Sequence, residues 1–209
     1  QDITTPLMSE SWQATFSTPA LYGNMLGTMT IGLPGVHNEL RLENVTYNEL
    51  LAVENGVRIV DLNQLPDLLE ERNELRNDFS LETVGFGIQG DRFSFGLTHR
   101  LRAAGTVNYP RTLVQLAAEG NAQFIGQTVE IAPFGYATSF HEFGFGASYS
   151  FGEIITIGAR VKYLSGVADI STNDDASLQL TTGEDNFALS LAQDLRLNTS
   201  GIANYAGLD

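Results

Sequence analysis

Residues 140–164 read FHEFGFGASYSFGEIITIGARVKYL, and the parity of this stretch decides the fold. Phe143, Phe145, Ala147, Tyr149 and Phe151 share one parity, while Glu142, Gly144, Gly146, Ser148 and Ser150 share the other. After Gly152-Glu153 the return segment repeats the rule. Ile155, Ile157, Ala159, Val161 and Tyr163 alternate with Thr156, Gly158, Arg160 and Lys162. Successive residues of a strand point to opposite faces, so the pattern predicts a long hairpin with one greasy face and one face of small and charged groups. Ordinary strands run about 5–6 residues, and about 9–11 suffice to cross a bilayer at a tilt. The length expected here is closer to the second figure.

An independent segment carries the same pattern. Gln89-Gly90-Asp91-Arg92 has the form of a hairpin turn. Beyond it Phe93, Phe95, Leu97, His99 and Leu101 alternate with Ser94, Gly96, Thr98, Arg100 and Arg102. Before it, Val84, Phe86 and Ile88 share a parity.

Outward from these hairpins the reading is coarser. Residues 1–24 are polar and turn-rich and are expected to be an N-terminal extension or plug segment. Residues 25–33 (MLGTMTIGL) predict a first strand stopped at Pro34-Gly35, and Leu40, Leu42 and Val45 suggest a second. Residues 46–52 suit a helical turn, and 57–60 a short strand. Residues 62–73 predict a helix capped by Asp61 or Asn63, with Pro66 in its first turn and Leu65, Leu68 and Leu69 on one stripe. Residues 110–120 (PRTLVQLAAEG) predict a second helix, opened by proline and closed by glycine. Strands are expected at 136–151, 153–170, 177–182 and 186–198, and no end signal marks 199–209. About seven strands result, all within 25–209. Closed barrels need even counts from eight upward, so an incomplete barrel is expected.

Composition fits. The chain has 209 residues, 43% hydrophobic and 17% charged, with 21 glycines and 12 phenylalanines. A net charge of −14 speaks against nucleic acid, which requires a cationic stripe, and against docking on anionic lipid headgroups. The acids concentrate in 39–54, 61–78 and 174–185, where they read as a solvated loop surface. With no cysteine, disulfides, thiolate metal sites, a cysteine nucleophile and a lipoprotein anchor all fall away. No apolar run approaches the ~20 residues of a membrane helix. The start at Gln1-Asp2 is expected to be a mature end left by cleavage of a signal peptide.

A soluble sandwich would also alternate. Two features favour the membrane. The non-apolar face is built of glycine, serine and threonine, not the Lys/Glu/Thr mix of a wetted sheet. The apolar face is also aromatic at strand ends, for example Phe140, Phe143 and Phe151. An arginine or lysine on the lipid side costs about 2–4 kcal/mol near the midplane. Arg100, Arg102, Arg160 and Lys162 all fall on the glycine parity, as membrane insertion requires.

Particular strings carry a family resemblance. Gly32-Leu33-Pro34, then Gly120-Asn121 with Phe124-Ile125-Gly126, and above all Gly158-Ala159-Arg160-Val161-Lys162-Tyr163-Leu164-Ser165-Gly166, resemble uncharacterised Bacteroidota outer-membrane proteins. That group is distantly similar to the long-chain fatty-acid transporter barrels and to the type IX secretion outer-membrane barrel. The resemblance covers most of residues 20–200 and implies only the N-terminal half of a barrel. It carries no catalytic residue, cofactor or substrate to this chain.

The expected fold is therefore all-β, an antiparallel outer-membrane β-barrel or the N-terminal part of one, with two short helices. Phe93, Phe95, Leu97, Phe143, Phe145, Tyr149, Phe151, Ile155, Ile157, Val161 and Tyr163 are expected to face lipid. Arg100, Arg102, Glu142, Arg160 and Lys162 are expected to face the lumen, either as ion pairs that brace the wall or hold a plug (the acidic 70–71 helix is one choice), or as an anion-attracting passage. No catalytic site, metal or cofactor is expected. His37, His99 and His141 lack metal-ligand spacing and read as packing or interfacial residues. The acids at 173–175 and 184–186 lack an EF-hand frame. The leading expectation is a non-enzymatic protein of the bacterial outer membrane that transports a small hydrophobic or anionic solute. Its partners would be outer-membrane lipid and other envelope proteins. A docking barrel for envelope or secretion machinery is the alternative, and a secreted soluble β-sheet adhesion or binding protein the third.

Overall fold

The computed structural model describes residues 12–24, 27–54, 56–61, 64–152, 154–173, 175–185 and 187–201. Several expectations fall outside them: residues 1–11 of the extension, the first strand's start at 25–26, the helix start at 62–63, Glu153, Asp174, Asn186 and the final 202–209.

In chain order, helix α1 (Ala14–Ser17) and a 3-10 turn (Pro19–Asn24) precede β1 (Met29–Gly32) and β2 (Gly35–Leu42). A 3-10 turn (Tyr47–Leu50) leads into β3 (Leu51–Glu54) and β4 (Val57–Val60), and α2 (Leu65–Leu68) precedes β5 (Arg72–Gln89) and β6 (Phe93–Pro110). Then come α3 (Arg111–Glu119), β7 (Thr128–Glu130), β8 (Phe134–Phe151), β9 (Ile155–Thr172), β10 (Ser177–Thr182), β11 (Leu189–Asp194) and β12 (Leu197–Ser200). The protein is mostly β with few, short helices.

Seven strands form one sheet in the order β1-β5-β6-β8-β9-β12, with β2 also pairing β5. Two smaller sheets hold β11-β10-β7 and the β3-β4 hairpin. Among the described residues the large sheet is open, and no closed barrel is present. β5, β6, β8 and β9 are 18 residues each, which at about 3.4 Å per residue spans roughly 60 Å. All four exceed the length a bilayer demands; β8 begins two residues before the expected 136, and β9 keeps the expected length but is shifted two residues onward. Contacts divide the chain into two compact units, and these four strands contribute to both. The first unit draws on 1–38, 79–103 and 139–167; the second on 39–78, 104–138 and 168–209.

In the first unit, β1 and β5 are antiparallel, with Ile31 opposite Phe86 and Gly32 opposite Gly85. This register puts apolar side chains together on one face and glycines together on the other. Gly90 closes the β5–β6 turn by donating its N–H to the Phe93 carbonyl at 3.0 Å. Gly152, at φ +69°, opens the β8–β9 turn, in the left-handed region that glycine enters without penalty.

In the second unit two expectations are corrected. The helix expected over 62–73 is a single turn, α2, and β5 begins at Arg72. The Asn73 carboxamide takes the Glu70 N–H at 3.0 Å and donates to the Glu70 carbonyl at 2.8 Å, satisfying the groups a longer helix would have bonded internally. The strand expected over 186–198 is two strands in different sheets: β11 pairs β10 and β12 pairs β9. Asn173 fixes the break, its side chain accepting the Arg196 N–H at 2.9 Å and its own N–H donating to the Arg196 carbonyl. The helix over 110–120 is present as α3, with Pro110 at the N-cap and Gly120 (φ +78°) at its end.

Candidate functional site

The glycine face of the first unit is covered by the chain's own N-terminal segment. Trp12 lies over the cross-strand pair Gly32 and Gly85, and Tyr22 over Gly96 and Gly146 on neighbouring strands. A Cβ at any of the four would fall inside 3.0 Å of those rings, so only glycine admits this approach. Gly158 meets the backbone of Pro19 and Ala20 in the same way. Trp12 packs edge-on against Phe16 and Tyr22, with centroids 6.1 and 6.0 Å apart. This aromatic cluster is the first unit's buried core.

Arg100 of β6 and Arg160 of β9 bind to that segment. Arg160 donates through Nη1 to the Phe16 carbonyl at 2.7 Å and through Nη2 to the Thr15 carbonyl and the Tyr22 hydroxyl, the latter at 2.9 Å. The Arg100 guanidinium lies 4.5 Å from the centre of the Phe16 ring, a cation–π contact. Glu142, only 3% exposed, pairs with Arg100, with Lys162 at 3.4 Å and more distantly with Arg102 at 3.9 Å. Arg102 also leans over Phe140.

All five residues expected at the lumen thus come together on one face. Arg160 and Arg100 hold segment 12–24 in place, and Glu142 gathers Arg100, Arg102 and Lys162 beside it. Glu70 and Glu71, the other candidate for that place, belong to the second unit and to no helix. Sequence reading missed Trp12, Phe16 and Tyr22 as partners. The available signal was the run of glycines at one parity, which implied a close neighbour without naming it.

The opposite face is bare. Phe93, Leu97, Phe143, Phe145, Tyr149, Phe151, Ile155, Ile157, Val161 and Tyr163 are all exposed, Ile157 at 60% and Val161 at 72%. Phe95 is half-buried, its ring 6.2 Å from that of Phe93. Met29, Ile31 and Val84 extend the apolar band. His99 and His141, which the sequence kept apart, meet there: Nε2 of His99 lies 3.0 Å from Nδ1 of His141, with the rings stacked 5.1 Å apart. Phe143 packs 4.5 Å from His99. Among the described residues no group of three or more metal-ligating side chains forms a cation site. No described helix is long and apolar enough to cross a membrane, which leaves crossing by strands open.

The chain belongs to the family described as a family of unknown function (DUF5723), whose model matches residues 19–209. No curated protein and no solved structure matches it.

Proposed function

We propose that this chain forms wall strands of a bacterial outer-membrane β-barrel whose interior is stopped by its own N-terminal segment, and that the protein passes a small hydrophobic or anionic solute under control of that plug. It is not an enzyme on this reading. The observation that carries it is the bare apolar band on β6, β8 and β9, backed by a glycine face that is already filled. Burying each such side chain is worth about 1.5–3 kcal/mol, and a band of this extent is more than a water-facing monomer ordinarily exposes. Hydrocarbon would remove that cost. Around this band Arg100, Arg102, Glu142, Arg160 and Lys162 lie on the filled face, where lipid would not meet them; Asp169, farther along β9 at the apolar parity, belongs to the second unit.

Connection lengths support the same placement. Residues 90–92 and 152–154 are short turns, whereas 43–71, 111–133 and 173–196 are long. Outer-membrane barrels carry short turns on the periplasmic side and long loops outside, so the long connections are assigned to the cell exterior. A free sheet edge is not viable in hydrocarbon, so further strands complete the wall. The resemblance of the string at 158–166 to uncharacterised Bacteroidota outer-membrane proteins agrees with this assignment.

The filled interior also favours a second reading, in which the barrel is a docking platform for envelope or secretion machinery and nothing passes through it. Fractionation of cells expressing the protein, followed by electrophoresis with and without heating, tests the membrane assignment: a detergent-requiring, heat-modifiable species is expected. A monodisperse protein that stays soluble without detergent would overturn it. Conductance of reconstituted protein separates the two readings. Transport predicts a rise when residues 12–24 are deleted, while docking predicts a closed membrane in both cases.

A further inference from the structure

Apart from the plug cluster, the second unit holds a hollow of about 530 Å³ where the start of β5, the start of α3 and β7 come together. That volume suits a small organic solute. Its wall combines apolar Pro110 and Val129 with charges of both signs: Arg72 and Arg111, Glu71 and Glu130.

These charges are unequally occupied. Glu130 is committed to the protein, accepting the N–H groups of Ala132 at 3.0 Å and Leu178 at 2.8 Å and the Ser177 hydroxyl at 3.0 Å. Arg111 is under-used. Among the described residues its Nε is buried without a partner and its Nη2 reaches only Asp67, at 3.5 Å; the Arg111 side chain is itself partly exposed, and that of Asp67 is 86% exposed. That donor, like the Nε atoms of Arg100 and Arg160, is left free for an acceptor from outside the protein, water or ligand. Arg72 lies over the Phe134 ring at 5.2 Å and makes no ion pair among the described residues. The Glu71 side chain likewise makes no ion pair among the described residues, and its backbone carbonyl accepts the Arg111 N–H at 3.0 Å. Helix α3, nine residues long, begins here with proline at its cap position and no side-chain cap, so its first turn adds partial positive charge beside Arg111.

We propose that this hollow binds a small zwitterion of the amino-acid or short-peptide class. The carboxylate lies on the Arg111 fork at the start of α3, a geometry matched to two oxygens. The ammonium pairs with Glu71, and the intervening carbon skeleton lies against Pro110 and Val129. Arg72, fixed on Phe134, keeps the carboxylate end positive without competing for Glu71. Glu71 and Arg72 are exposed and solvated when the hollow is empty, and a zwitterion is the class of ligand that meets both signs of charge on its wall at once.

The proposal stands on the hollow alone. Its failure would leave the membrane assignment untouched, and failed membrane fractionation would leave this site standing. The test is calorimetric titration of the full chain in detergent with dialanine, beside N-acetyl-dialanine and dialanine amide. Saturable binding is expected for dialanine alone. Arg111→Gln and Glu71→Gln are each expected to weaken it by about tenfold or more, with unchanged far-ultraviolet dichroism. No saturable binding to the wild-type chain at millimolar dialanine overturns the proposal. So does equal binding of the two blocked analogues, or affinity indifferent to both substitutions in folded protein.

Discussion

Arg160 and Tyr22, 138 residues apart in the chain, are joined by a hydrogen bond of 2.9 Å from the guanidinium to the phenolic oxygen. The same guanidinium holds the carbonyls of Thr15 and Phe16. One side chain of β9 thus spans both the helical turn and the 3-10 turn of the N-terminal segment. Replacement by glutamine removes the charge and most of the reach. Hydrogen bonds to charged groups contribute about 1.5–3 kcal/mol, so Arg160→Gln is expected to loosen the segment while leaving the sheet formed. Limited proteolysis is the check: cleavage within 12–24 should accelerate strongly, and cleavage elsewhere should not.

The ring of Tyr22 imposes a stricter condition on Gly96 and Gly146, each too close to accept a Cβ. Gly96→Ala and Gly146→Ala are each expected to destabilise by about 1–3 kcal/mol through overpacking. Tyr22→Ala leaves a cavity and also destabilises, yet alanine at 96 should then cost almost nothing. A double-mutant cycle followed by heat-modifiability reads that relief. Additive losses would mean that the glycines serve the strand and not the ring.

Much of this was legible in the alternation of β6, β8 and β9, because a period of two assigns each residue a face without knowledge of what lies across it. The segment 12–24 was not legible. Trp12, Phe16 and Tyr22 have no periodicity of their own, and their partners are glycines far along the chain. Pattern also failed at α2, where the leucine stripe promised a helix and Asn73 closed a turn instead. Leu191, Leu195 and Leu197 keep one parity across the break at Leu195-Arg196, so alternation gave no sign that the chain leaves one sheet for another. Likewise, no spacing rule joins His99 to His141; adjacency of β6 and β8 does so.

Glu142 pairs with Arg100, with Lys162 and, more distantly, with Arg102. Removing a partner from a buried pair leaves an uncompensated charge and costs about 3–5 kcal/mol. Glu142→Leu is therefore expected to be more harmful than Arg102→Gln, since Arg102 stands farthest from the carboxylate and is the more exposed. Arg100→Met combined with Glu142→Leu should recover part of the loss. Urea midpoints of the four proteins give the order.

On β7, the Glu130 carboxyl experiences opposing influences. Burial works to raise its pKa, but hydrogen bonds from Leu178, Ala132, Ser177 and Gln179 outweigh it and hold it below the ordinary glutamate value. A depressed folded pKa means that the unfolded chain binds the proton more readily. The contribution is thus present above about pH 4.3, the ordinary value, and is lost as pH falls through the lower folded value. Hydrogen exchange at the Leu178 amide is expected to speed up on acidification across that window. Glu130→Gln should exchange faster at neutral pH and lose most of the acid dependence.

The assignment of the apolar band to hydrocarbon yields a prediction that differs in sign from a water-facing sheet. Phe145 is 49% exposed and Ile157 60% exposed. In water, Phe145→Lys or Ile157→Arg should be nearly neutral and should improve solubility. In a bilayer the same changes cost about 2–4 kcal/mol near the midplane and less toward either interface. Scanning lysine along β8 through Phe143, Phe145, Tyr149 and Phe151 should therefore give a peaked loss of heat-modifiable protein. Lysine at Ser150, which faces the opposite side near the turn, should not follow that curve. A flat profile, or improved yield at Phe145, would place this face in water.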